Sequence, residues 1–101
     1  MTTSSPSALE IRDLSELRRY VEGRICAQYH LESGAFTMTE RLLRRGGQPC
    51  GLFFCVHGPR SVKWTAIWEM EHNQVLFYGS AGERVERAQL SGAIGGLAGV
   101  C

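Results

Sequence analysis

Cysteine, histidine and the acidic side chains are the groups here that could form bonds, hold metals or move protons. The cysteines are Cys26, Cys50, Cys55 and Cys101. Cys55 and His57 lie two residues apart in the stretch CGLFFCVH, which reads as a strand. They would share a face, with backbones about 7 Å apart. A cysteine nucleophile needs a neighbour that stabilises its thiolate and a third group that orients the base. No aspartate follows His57, and no helix start lies beside Cys55. A zinc site wants short C-x(2–4)-C knuckles with a second pair elsewhere, and C-x-x-x-x-C-x-H at 50–57 fails that spacing. No catalytic residue, metal ligand or cofactor is therefore assigned, and the chain is read as a non-enzyme.

The remaining motifs are thin. Glu69 and Glu71 share parity near a strand end, where charged side chains facing water are ordinary. Gly-Ser-Ala-Gly at 79–82 lacks the lysine of a phosphate loop and the Ser or Thr that follows it, and Arg45-Gly46-Gly47 is a turn. Arg41, Arg44 and Arg45 near one hairpin tip, with Arg60 beyond, could hold phosphate while Phe53, Trp64, Trp68 and Tyr78 stack bases. That single-strand nucleic-acid reading is the alternative rather than the first choice. Lys and Arg total 11 against 10 Asp and Glu, a net +1, and Glu40, Glu69 and Glu71 interrupt any basic track.

These residues must be positioned by one small domain, since 101 residues are too few for two. Apolar residues make up 44% and charged residues 21%, which is globular usage rather than disorder. Residues 13–29 read as an amphipathic helix. Asp13 and Glu16 form a capping box, and Leu14, Leu17, Val21 and Ile25 make one stripe. Glu22 sits four residues after Arg18 as a surface pair. Gly23 is either a close-approach point or neutral.

The period then changes from 3.6 to 2. Strands are expected from Phe36 to Leu43, at 50–57, at 62–70 and at 75–78, with turns at 45–49, 58–59, 71–74 and 79–82. In 62–70, Val62, Trp64, Ala66, Trp68 and Met70 point one way, and Lys63, Thr65, Ile67 and Glu69 the other. Residues 83–90 have helical composition but follow a two-glycine turn, and are read as a last strand. Residues 1–12 are expected to be a mobile tail, 13–90 the domain, and 91–101 a mobile Gly-rich tail. The fold class is α+β, with one N-terminal helix on one face of a four- or five-stranded antiparallel meander.

A lone helix covers one face of such a sheet. Its stripe should meet Trp64, Ala66 and Trp68, joined by Phe36, Met38, Leu52, Phe54, Val56 and one of the pairs Val75/Phe77 or Leu76/Tyr78. The other face would then carry Phe53, Cys55 and Ile67, with Leu43 and one of those pairs. Soluble monomers rarely leave such a patch bare. The interface residues expected are Phe53, Cys55, Ile67 and Tyr78. The occupant expected is a second copy in a homodimer, or another protein; a small ligand, the 83–90 segment as a helix or the C-terminal tail are the other covers. The N-terminus MTTSSPSALE has no basic n-region or apolar core of a secretory signal, and no apolar run approaches a membrane span. A cytoplasmic protein with free thiols, away from membranes, is expected.

Overall fold

The chain's first long element in the computed structural model, which describes residues 9–32 and 34–91, is the helix that the apolar spacing demands. α1 runs Leu14–Tyr29. The Glu16 amide donates to the Asp13 carboxylate at 2.9 Å, and the Arg12 amide donates to the Glu16 carboxylate at 2.8 Å. The capping box thus forms with its return arm one residue early. Leu17, Val21, Ile25 and Cys26 are buried along one side. The helix stops where His30 takes the left-handed conformation at φ 57°. Gly23 faces open space, so no strand approaches it closely. No helix among the described residues is long and apolar enough to cross a membrane.

Five strands follow as a meander: β2 (Thr37–Arg45), β3 (Gln48–His57), β4 (Lys63–Glu69), β5 (Gln74–Tyr78) and β6 (Arg84–Ser91). Each pairs antiparallel with the next. The result is an α+β fold, one helix against an open antiparallel sheet. Residues 84–91 are a strand despite their helical composition, because β5 offers them a partner: Val75 lies opposite Ala88 and Leu76 opposite Arg87.

The N-terminal boundary differs from the sequence reading. Leu9–Glu10 forms β1, a sixth strand parallel to β6, and Ile11 is buried in the core. Two residues are too short to show a period, so they read as tail. Ser91, also assigned to a tail, closes β6. The tails expected at 1–8 and 92–101 lie outside the described residues.

Register sorts the side chains into two sides. On the inner side Leu42, Leu52, Trp68, Val75 and Ala88 form one row across the strands. Glu40, Phe54, Ala66, Phe77 and Glu86 form the next. These rows and the helix stripe make the core, with Leu17, Val21, Phe54, Val56 and Val75 fully enclosed. Each such side chain contributes about 1.5–3 kcal/mol relative to exposure. Both tryptophans belong here. Trp64 stacks on Tyr29 with ring centroids 4.9 Å apart, and the Trp68 indole N–H donates to Asn73 Oδ1 at 2.9 Å. Val75 and Phe77 are the inner pair, so Leu76 and Tyr78 point outward. Met70, expected inside, stands 37% exposed because β4 ends at Glu69.

The second inner row ends in a glutamate at each flank, and the helix is tied to both. Arg18 donates twice to Glu40 on β2, at 2.6 and 2.7 Å, and Arg24 donates to Glu86 on β6 at 2.7 Å. Arg18 therefore pairs across the fold, and the expected partner Glu22 instead accepts from the Gly34 amide at 3.2 Å. Gly58 admits the ring of Trp64, which a Cβ at that position would strike.

Candidate functional site

The outer side of the sheet is built by the opposite parity of the same strands. Arg41, Phe53, Ile67, Leu76 and Arg87 form its middle row, reading from β2 to β6. Thr39, Cys55, Thr65, Tyr78 and Arg84 lie on one side of that row, and Leu43, Gly51, Glu69, Gln74 and Gln89 on the other; Lys63 stands opposite His57 beyond. Leu43, Phe53, Ile67, Leu76 and Tyr78 are all half-buried. They shield one another sideways, while the helix and the main core occupy the other side of the sheet.

Three of the four predicted interface residues come together as accessible neighbours: Phe53, Ile67 and Tyr78. Cys55 lies on the same side but is only 6% exposed, so it forms the floor between its neighbours. Desolvation pushes its thiol pKa up, and the nearby Lys63 opposes that more weakly. His57 shares a 3.0 Å hydrogen bond with Thr39 Oγ1, rather than engaging Cys55. A thiol held in its protonated form, with its histidine committed elsewhere, is poorly set up as a nucleophile.

Two shallow depressions mark this side. One, of about 380 Å³, surrounds Phe53 and Cys55 and is rimmed by Thr39, Arg41, His57, Lys63 and Thr65. The other, of about 510 Å³, lies between the β2–β3 hairpin and the end of β4, with Leu43, Arg45, Cys50, Ile67 and Met70 on its walls. Glu69 borders it. Its carboxylate accepts from the His72 ring and from Gln74 Nε2, the latter at 3.1 Å. The His72 bond, ahead of the other causes, holds the Glu69 pKa low and the His72 pKa high. Glu71 is exposed in the turn. No group of three or more metal-capable side chains gathers among the described residues.

The four arginines of the nucleic-acid reading do not meet. The Arg41 guanidinium lies 5.4 Å from the Phe53 ring centroid, over its face. Arg44 follows a bulge and stands opposite Pro49, whereas Arg45 sits opposite Gln48 at the hairpin end. Arg60 occupies the turn at the far end of β3, with φ 57°. Nine residue steps of strand, about 30 Å, separate those two ends. The sequence leaves Leu76 as one of two alternatives for this side and does not single out Arg84 and Arg87. Their alternation with Val75, Phe77 and Glu86 becomes a signal only once the inner side of β5 is known.

The chain matches no known protein family, no curated protein and no solved structure in the comparisons made.

Proposed function

We propose that this domain is a binding module whose working surface is the outer side of its sheet, centred on Phe53, Ile67, Leu76 and Tyr78. One observation carries the reading. The helix packs on the inner side, where the core residues are buried, while a contiguous set of apolar side chains on the reverse is half-buried with no described element over it. The protonated, enclosed Cys55 supports binding over catalysis. Three free cysteines among the described residues, Cys26, Cys50 and Cys55, fit a reducing, cytoplasmic setting.

Anilinonaphthalene sulfonate, an apolar dye with a negative charge, is a simple probe of such a surface. The wild-type chain should bind it, and the double substitution Ile67→Lys with Leu76→Lys should abolish the fluorescence gain while far-UV circular dichroism stays unchanged. Dye binding that survives both substitutions would defeat the proposal. Sedimentation of the same two proteins reports on self-association: a dimer lost in the double variant would make a second copy the occupant.

A further inference from the structure

We infer that the occupant of this surface is an acidic segment of another protein, with apolar side chains at its centre and carboxylates at both ends. The inference rests on the reading of the outer side as the working surface, and the charge of that side carries it. Arg41, Lys63, Arg84 and Arg87 stand there by register, opposite Phe53, His57, Tyr78 and Leu76 respectively. The one carboxylate among the outer positions of these rows is Glu69, already engaged by His72 and Gln74. None of the four cations forms an ion pair among the described residues. The inner side is the opposite case: its two glutamates, Glu40 and Glu86, each hold a helix arginine. The glutamates of the inner row are ion-paired, whereas the four outer cations have no carboxylate partner among the described residues, Arg87 donating only to Gln74 Oε1 at 3.3 Å.

This pattern selects among occupants. A second copy laid face to face would set the same four cations against themselves, and like charges across an interface are costly. Nucleic acid would satisfy the cations but not the centre. Ile67 and Leu76 are aliphatic, and the Phe53 ring is already covered by Arg41, so bases find few faces to stack on. An acidic segment satisfies both. Its apolar side chains fit over Ile67 and Leu76, and its carboxylates reach Arg41 at one end and Arg87 at the other. Four strand intervals separate those arginines, a span of about 19 Å. That span matches roughly 13 residues of helix or about six of extended chain.

The test is a selection of random 16-residue peptides on the immobilised full chain at low ionic strength. The enriched peptides should carry aspartates and glutamates on both sides of an apolar run. Their affinity should fall with added salt and drop at least about tenfold in the double variant Arg41→Gln with Arg87→Gln. They should also lose binding to Ile67→Lys, with circular dichroism confirming that each variant is folded. Neutral or basic peptides that still depend on Ile67 would overturn the acidic partner and leave the binding surface standing. Peptides indifferent to Ile67→Lys, or no enrichment at all, would overturn both. Displacement of the peptides by a fluorescent oligo(dT), or a dimer that Ile67→Lys dissolves, would overturn the acidic partner in favour of nucleic acid or a second copy.

Discussion

Phe53 and Phe54 are adjacent in β3, and the pleat sends the same side chain to two different environments. Phe54 lies in the middle of the inner row, fully enclosed between Ala66, its other cross-strand neighbour Glu40, and the helix stripe. Phe53 lies in the middle of the outer row, half-buried, with Arg41 over its ring. The inner side is a finished core: apolar centre, both flanking glutamates paired, both tryptophans packed. The outer side has the same plan of an apolar centre and charged flanks, without the helix and without the counter-charges.

The largest test of that contrast is a matched pair of truncations. Phe54→Ala should cost about 3–5 kcal/mol in urea unfolding, enough to unfold much of the population. Phe53→Ala should cost less, about 1–2 kcal/mol, because part of its ring stays in water and its removal leaves no enclosed cavity. Equal costs would erase the distinction between the two sides.

A smaller effect sharpens it at the backbone. Gly51 belongs to an outer row, yet a Cβ there would collide with the main-chain oxygen of Trp68. Gly51→Ala should therefore cost about 1–3 kcal/mol by urea unfolding, the ordinary penalty of overpacking. Outer positions are tolerant as side chains, and this one is intolerant because strand meets strand. Next comes the tie between helix and sheet edge. The Arg24 and Glu86 side chains remain 42% and 27% exposed, so Glu86→Gln should cost only about 0.5 kcal/mol by the same measurement, falling further in salt.

The smallest effect is a pH dependence at the rim of the outer side. The raised His72 pKa contributes stability below the ordinary imidazole value, lost as pH rises through the raised value. The depressed Glu69 pKa contributes above the ordinary carboxylate value, lost as pH falls through the depressed one. The pair thus acts in the window between the carboxylate and imidazole ranges. NMR titration should place the His72 midpoint above an exposed histidine's, and Glu69→Gln should return it to the ordinary value.

Much of this was legible before any coordinates. Leu17, Val21 and Ile25 at helical spacing, and Trp64, Ala66 and Trp68 at strand spacing, were each long enough runs to identify their own elements and inner sides. Val75 to Tyr78 were not. Four apolar residues carry no alternation, so the choice between Val75/Phe77 and Leu76/Tyr78 waited on pairing with β4 and β6. That choice decides where Leu76, Tyr78 and Arg87 point, and so most of the candidate surface. The ties from Arg18 to Glu40 and from Arg24 to Glu86 span 22 and 62 residues, beyond the reach of any local pattern. Leu9 and Glu10 were hidden for the opposite reason: their partners in β6 are distant and their own run is too short to signal a strand.

On the proposed function, one side of this sheet is closed by the chain and the other is open to a partner. Solvent paramagnetic relaxation on methyl-labelled free protein tests it directly. A soluble gadolinium chelate should strongly broaden the methyls of Ile67 and Leu76 while sparing those of Val21, Val56 and Val75. Equal protection of both sets in a monomer would mean that the chain covers its own outer side, and would contradict the account.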